Sequence, residues 1–419
     1  MPARVRIADQ FLIEGGMDLG VATHFSQGWD LGLAAEVRAL GADHVRDAVR
    51  WEAGEAVPGT YAFEGLERSF PDRLAEAGID TRLVYLARHP GYEGGATVTT
   101  EAGIAALTDY IATSLTRFGA VATIEIGNEF NAANFVWGPL KEAGYEERAA
   151  AHARIVTGVR TGLEAAGQSP RILGGAAHSV PVDYLAAAAE AGLLDAVDGI
   201  ALHPYTSPPE HVGEHLALLR ARLEAPDLAI HATEYGRETE TAAGAARHLV
   251  KMTAALAASG VESATWYALA EQRWFPNMGL VEPDGTPRPA ADAFALMAER
   301  VLPLGPARRL EAGPQAHAIA FGDRGLVIWG APRDVSLPGA EWLDSRGQPV
   351  AAPRLDPARP LVAIGAQALD FQELALGSTA VRADSFFDFS LNEGPAWSRS
   401  VTLPSGEVRV LEALGGGKP

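Results

Sequence analysis

The chain has 419 residues, 47% of them apolar and 21% charged, and its 34 Lys and Arg against 53 Asp and Glu give a formal charge of −19. That balance excludes a basic nucleic-acid stripe and an anionic membrane surface as partners and favours a neutral ligand. With no cysteine in the chain, disulfides, thiolate zinc sites and cysteine nucleophiles are excluded together.

Short apolar runs alternate with segments of helical period from the first strand onward. Residues 19–25 (LGVATHF) predict a strand and 31–42 a helix ending near Gly41. A strand at 44–51 and a helix at 66–79 follow, then a strand at 81–87 and a helix at 102–119. The strand at 121–129 leads into a long Ala-rich helix around 146–166. Strands at 171–177, 197–205, 228–236 and 263–271 alternate with helices at 182–194, 213–224, 241–260 and 290–302. Alternation of this kind predicts a parallel sheet with helical crossovers, and eight such pairs over residues 19–302 fit a (β/α)8 TIM barrel. The competing doubly wound sheet lacks support, because neither a GxGxxG after a strand nor a Walker A pattern is present.

Beyond residue 303 the helical period disappears. Segments 317–330, 358–365, 385–391 and 405–414 are short and β-rich, separated by Gly, Pro and Asp. The expected organisation is a barrel over residues 1–302, with a short N-terminal extension, and a smaller β-sandwich-like accessory domain over 303–419 ending in a flexible GGGKP tail. No stretch approaches the ~20 apolar residues of a membrane span. The opening residues have neither an apolar h-region nor a small-residue cleavage site, so the expected location is the cytoplasm, or outside it with a leader removed.

In such a barrel the C-terminal strand ends build the active site. They carry His24 on strand 1, Arg46, Asp47 and Arg50 on strand 2, and Arg88 and His89 on strand 3. Asn128 and Glu129 end strand 4, His203 and Tyr205 strand 6, and Glu234 strand 7, while Trp266 and Tyr267 lie on strand 8. Glu129 and Glu234 stand three strands apart on an eight-strand ring, where they can face each other across the mouth. Two flanking carboxylates are what glycoside hydrolysis requires, one protonated and one ionised. Asn128 offers a donor and an acceptor to a sugar hydroxyl, and Trp266 a flat apolar face to a sugar ring. Trp137, on the loop after strand 4, is a candidate wall of a neighbouring subsite, as are Trp274 and Phe275 after strand 8.

These stretches resemble the clan A glycoside hydrolases, retaining β-glycosidases on a (β/α)8 barrel. The resemblance rests on GNE (127–129), ALHPY (201–205), TEYG (233–236), TWYAL (265–269), the strand-2 segment VRDAVRWEAGEAVPGTYAFEGLE (45–67) and GLVEPDGTPRPAADAFALM (279–297). It covers residues 19 to 300 and is nearest the family 39-like group of β-xylosidases and bacterial exopolysaccharide glycosidases. It implies Glu129 as general acid/base and Glu234 as nucleophile. It also implies Asn128 on the sugar 2-hydroxyl, Arg46 beneath the nucleophile, His203 or Tyr205 near the nucleophile, and Trp266 as the sugar-ring floor. His24 and His89 complete the substrate-binding candidates. A metal site on His24, His89 and His203 is the weaker reading, because Ala22 replaces the first histidine of a strand-1 His-x-His pair. The expectation is an enzyme that acts on an oligo- or polysaccharide without metal or cofactor. The alternative is a non-catalytic carbohydrate-binding or assembly protein on the same scaffold.

Overall fold

The computed structural model describes residues 16–313 and 315–377, together with the backbone of two further strands, Trp397–Thr402 and Val408–Ala413. Eight parallel strands close into a barrel: β1 (Asp18–Ala22), β2 (His44–Ala48), β3 (Asp80–Tyr85), β4 (Thr123–Ile126), β5 (Arg171–His178), β6 (Gly199–His203), β7 (Ile230–Tyr235) and β8 (Ser263–Trp266). They lie in sequence order around the ring, and β1 pairs with β8 from Asp18↔Ser263 to Val21↔Trp266. The helices are α1 (Ala34–Ala39), α2 (Trp51–Gly54), α3 (Leu66–Glu76), α4 (Glu101–Arg117), α5 (Tyr145–Ala165), α6 (Val182–Glu190), α7 (Leu193–Ala196), α8 (Val212–Arg222), α9 (Ala242–Ala257) and α10 (Pro289–Ala295). None is long and apolar enough to cross a membrane among the described residues. The single helix expected over 182–194 is two, because Gly192 sits at φ 92° and breaks the turn between α6 and α7.

Strands buried on both faces explain the nearly continuous apolar runs seen in the sequence. Their outward side chains (Leu19, Val21, Val45, Leu83, Ile124, Ile172, Ile200 and Ile230 among the strand residues of the core) pack with the helices. The lower barrel layer is filled by polar rings. His44 bonds Thr265 Oγ1 at 2.8 Å, and His231 bonds Ser263 Oγ at 2.7 Å. A Cβ on Gly20 would lie 2.3 Å from the His44 ring, so only glycine leaves that ring its place.

A five-stranded antiparallel sheet follows the barrel: β9 (Ala307–Leu310), β10 (Ala316–Phe321) and β11 (Gly325–Gly330), with β13 (Ala340–Leu343) and β14 (Leu361–Gly365), in the order β13-β14-β11-β10-β9. A short pair, β12 (Val335–Ser336) with β15 (Ala375–Leu376), accompanies it. Strand alternation divides its side chains between two cores. Ile319, Phe321, Val327, Trp329, Leu343 and Val362 join the barrel's core, whereas Ala320, Leu326, Ile328, Trp342 and Ala363 form a second core with Val335, Leu337, Leu355 and Phe371. Barrel and sheet together form one compact unit ending at Gly377. Trp329 ties them further: its Nε1 donates to Glu210 at 2.8 Å, Lys251 pairs with Glu210, and the Lys251 ammonium lies 5.2 Å over the indole ring. Past Gly377 the described residues are the antiparallel pair β16 (Trp397–Thr402) and β17 (Val408–Ala413). The strand expected at 385–391, the N-terminal extension before residue 16 and the GGGKP tail lie outside the described residues.

Candidate active site

The C-terminal strand ends surround a cavity of about 940 Å³. Its wall carries Arg46 from β2, Asn128 and Glu129 after β4, His178 from β5, Tyr205 after β6 and Glu234 from β7. At the base is Arg46, which is buried and makes three contacts. Nε donates to Glu125 Oε2 at 2.7 Å, Nη1 to Glu234 Oε1 at 2.5 Å, and Nη2 to Asn128 Oδ1 at 3.1 Å. Thr233 Oγ1 donates to the other oxygen of Glu125 at 3.1 Å. Burial alone would raise the Glu125 carboxyl, but the Arg46 charge overrides it and holds the group at about 2. The guanidinium in turn stays charged because Glu125 and Glu234 outweigh the cost of its burial.

Glu234 is held from its second side by Tyr205, whose hydroxyl donates to Oε2 at 2.7 Å. Burial and the Glu234 charge push the Tyr205 phenol well above its ordinary range, so it remains a donor. Glu129 lies opposite. Gly127 at φ 89° turns the chain out of β4, and Glu129 itself takes φ 42°, a conformation that a non-glycine residue holds only where its surroundings enforce it. Its Oε1 meets the ring of His203 through Nδ1 at 3.0 Å and that of His178 through Nδ1 at 3.2 Å. One oxygen from each of Glu129 and Glu234 and a ring nitrogen of His203 all fall within 4.8 Å of one another.

His203 is fully buried among three carboxylates. Burial would lower its pKa, but the Glu234 charge and contacts with Glu125 and Glu129 lift it to about 9. Glu129 responds in the opposite sense: burial would raise it, and the two histidines hold it below the usual carboxylate range. These two groups share a proton as a coupled pair.

The remaining candidates are sorted by the geometry. His24 lines the cavity in a chain of side chains, with its Nε2 2.9 Å from Tyr267 Oη and its Nδ1 2.8 Å from Gln27 Nε2. Asp47 fixes the loop that carries His24, accepting from Thr23, Phe25 N, Ser26 and Ala48 N at 2.7–2.8 Å, and burial pushes its carboxyl up to about 6. Trp137 walls a side groove of about 170 Å³ that shares Ala48, Val84 and Leu86 with the main cavity, and the Arg88 guanidinium lies 4.9 Å over its ring.

Two expected site residues are elsewhere. Trp266 is not a cavity floor. Strand alternation turns it outward, edge-on to Tyr235 at 5.3 Å, and its Nε1 donates to Met278 O at 2.7 Å. The next residue, Tyr267, faces the cavity, and Trp274 and Phe275 form the exposed rim beside it. His89 braces a loop: its Nε2 bonds Glu55 O at 2.6 Å, its Nδ1 accepts from Gly91 N at 2.9 Å, and its ring packs on Trp51. His24, His89 and His203 therefore do not converge as metal ligands. The cluster of Glu129, His203 and Glu234 does offer three donor atoms. Arg46 and Tyr205 already occupy both Glu234 oxygens, and a fixed guanidinium charge beside the site opposes a cation.

Sequence reasoning missed Glu125 and His178. Glu125 shares strand parity with Glu129, and a buried Arg46 needs more than one acid, so the signal was present. His178 ends β5, a strand to which no site residue was attached because its expected end fell at Ala177.

No protein-family model matches the chain, and no curated protein matches its sequence. Solved structures do match in fold. A family 39 glycoside hydrolase from the gut symbiont Bacteroides cellulosilyticus WH2 aligns over 83% of this chain and 80% of its own, at 16% identity and TM-score 0.66. A monomeric beta-xylosidase from Caulobacter crescentus CB15 aligns over 87% and 98%, at 16% identity and TM-score 0.57. A glycoside hydrolase family 30 subfamily 8 xylanase from Clostridium acetobutylicum aligns over 86% and 100%, at 13% identity and TM-score 0.55. At such identities the likeness establishes the shared fold, a TIM barrel with an appended β domain.

Proposed function

We propose that the chain is a retaining glycoside hydrolase acting on a β-linked glycoside, with Glu234 as nucleophile and Glu129 as acid/base. The observation that carries this is the approach of Glu129 and Glu234 to within 4.8 Å, oxygen to oxygen, at the mouth of a closed barrel. That is the ~5 to 5.5 Å regime of double displacement, too narrow for an intervening water. The glycoside hydrolases among the fold's relatives support the same chemistry.

In the first step a Glu234 oxygen bonds to the anomeric carbon, the bond from that carbon to the leaving oxygen breaks, and Glu129 gives its proton to that oxygen. In the second, Glu129 takes a proton from water, the water oxygen bonds to the same carbon, and the glycosyl ester to Glu234 breaks. Arg46 and Tyr205 stabilise Glu234 as an anion before attack. Displacement of water by a bound sugar favours the neutral form of the Glu129–His203 pair, with the proton on the carboxyl. Asn128, anchored by Arg46, lies beside Glu129 for the 2-hydroxyl. Tyr267, His24, Trp274 and Phe275 offer ring faces and hydrogen bonds to the sugar, and the Trp137 groove extends the cleft.

The test is turnover of aryl β-xylosides, β-glucosides and β-mannosides. Glu234→Ala abolishes it, and added azide restores part of it as the inverted glycosyl azide. Wild-type turnover in Glu234→Ala without azide refutes the assignment. Binding of these sugars without hydrolysis by the wild type would leave a carbohydrate-binding protein instead.

A further inference from the structure

His178 is used by nothing in the reaction as written above, yet the fold takes unusual steps to place it. Glu129 Oε1 receives both histidine contacts, at 3.0 Å from His203 and 3.2 Å from His178, and among the described residues no donor reaches Oε2. We propose that His178 is a positioning residue for Glu129: with His203 it pins Oε1 through Nδ1–H, so that Oε2 faces the leaving-group oxygen. This rests on the role proposed for Glu129.

The backbone around His178 is built for that contact. The β5–β6 register shifts between Gly174, which faces Ile200, and Ala177, which faces Leu202, so β5 carries one residue more than its partner. Such a bulge reverses side-chain parity beyond it and re-aims the residues at a strand's end. Ala176 at φ 38° lies within the shifted segment and Ser179 at φ 68° just past it, and Glu129 at φ 42° lies on the turn bonded to it. Three non-glycine residues in the left-handed region thus lie on the two adjoining turns. Direct bonds staple the two turns together. Asn131 Oδ1 accepts from His178 N at 2.8 Å, Asn131 Nδ2 donates to His178 O at 3.1 Å, and Phe130 N donates to Ala176 O at 2.9 Å. Asn131 belongs to the turn that carries Glu129, so acid and histidine move as one body.

The physical need is rotational. The terminal torsion of a glutamate is broad and roughly two-fold, so a carboxyl with one tether swings at little cost. Two ring donors reaching the same oxygen from different strands fix its plane. In the working state both rings donate Nδ1–H to Oε1, and Oε2–H points at the glycosidic oxygen. In the second step the same Oε2 receives the proton from water. His203 is sealed in the barrel whereas His178 is half-exposed on the cavity wall, so His178 can be replaced at small cost to folding.

The test compares His178→Ala and His178→Asn with wild type on the phenyl and 2,4-dinitrophenyl glycosides of one sugar. Asparagine keeps a donor near the Nδ1 position, and the dinitrophenolate leaves without needing a proton. His178→Ala loses about three- to ten-fold more kcat/KM on the phenyl than on the dinitrophenyl glycoside, the worth of one neutral hydrogen bond. His178→Asn recovers most of that difference. In protein labelled with 13C at the glutamate carboxyl, the Glu129 resonance, identified by its loss in Glu129→Gln, titrates higher in His178→Ala and close to wild type in His178→Asn. Equal losses on both substrates together with an unmoved Glu129 titration overturn the proposal and leave His178 as cavity lining. If Glu129→Gln and Glu234→Gln retain turnover, the assignment of the two carboxylates fails on its own, and the titration still decides whether His178 holds Glu129.

Discussion

Replacing Arg46 with methionine removes one guanidinium and strands two acids. Glu125 and Glu234 both rely on it, and Glu125 is buried with no cation nearer than His203 Nε2 at 3.8 Å to take its place. Two routes give the size of the effect. Breaking one partner out of a buried pair costs about 3–5 kcal/mol. Independently, the Glu125 carboxyl is held at about 2, against an ordinary value of roughly 4.3, which corresponds to about 3 kcal/mol at neutral pH. The sign follows from the depressed value: this stability is fully present above the unfolded-state pKa and is lost as pH falls from there towards about 2. A loss of about 4 kcal/mol lowers Tm by about 5 °C in a unit of this length. Thermal and urea unfolding at pH 7 measure it, and adding Glu125→Gln to Arg46→Met restores part of the loss by removing one orphaned charge. An Arg46→Met protein within about 0.5 kcal/mol of wild type, or a double variant less stable than the single one, would refute the argument that this guanidinium holds the cavity base together.

On the proposed reading, the proton held between Glu129 and His203 sets the alkaline limb of activity. With the ring lifted to about 9, kcat/KM on phenyl glycosides falls as pH rises through that region. In His203→Asn the limb moves to lower pH, because the carboxyl alone must keep the proton; a pH–rate profile that does not move removes the ring from the couple. The two tryptophans separate by function. Trp274→Ala raises KM for an oligosaccharide about three- to ten-fold, the worth of one aromatic contact. Trp266→Phe lowers stability by about 1–2 kcal/mol through the lost bond to Met278 O and moves KM less than Trp274→Ala does. Denaturation curves and steady-state kinetics on both proteins check this, and the reverse pattern would return Trp266 to the sugar.

The barrel was legible because its signal is repeated eight times and each repeat is long. Strand ends were less so. The strand expected to run to Glu129 stops at Ile126, since Gly127 and Glu129 both take positive φ and turn the chain outward. The strand expected to reach Glu271 stops at Trp266. Alternation within β8 decides which of Trp266 and Tyr267 meets the cavity, since Thr265 points inward to His44 and Trp266 therefore outward. A pattern of residue types names the neighbourhood of a side chain, but an error of one residue at a strand end reverses its face. His178 fails for the same reason in a stronger form: the extra residue in β5 leaves no mark in the hydrophobic pattern, because Ala and Gly fill positions 174–177 and suit either face. Arg46, Asn128, Glu129, His203, Tyr205 and Glu234 were expected at this end of the barrel, and they come together there because each lies within three residues of a strand end.

The two carboxylates are not interchangeable, and the reason lies in the partners rather than in the acids. Glu234 is tied to a guanidinium, which keeps its proton at any working pH, and to a phenol whose pKa burial and the Glu234 charge raise further. The guanidinium therefore presents the same charge to Glu234 throughout the proposed cycle, which suits an anion that must attack and later depart. Glu129 is tied to the imidazoles of His178 and His203, and the His203 ring is lifted to about 9. When Glu234 becomes an ester its charge disappears, and with it the largest influence raising His203. The ring, already neutral once the carboxyl holds the shared proton, then has less cause to take up another and stays a neutral donor to Glu129 just as that carboxylate must take a proton from water. On the proposed reading, the carboxylate beside a fixed cation suits the nucleophile and the carboxylate beside a titrating one suits the acid/base. Exchanging the environments, with arginine beside Glu129 and histidine beside Glu234, would leave the acid permanently ionised and the nucleophile open to protonation.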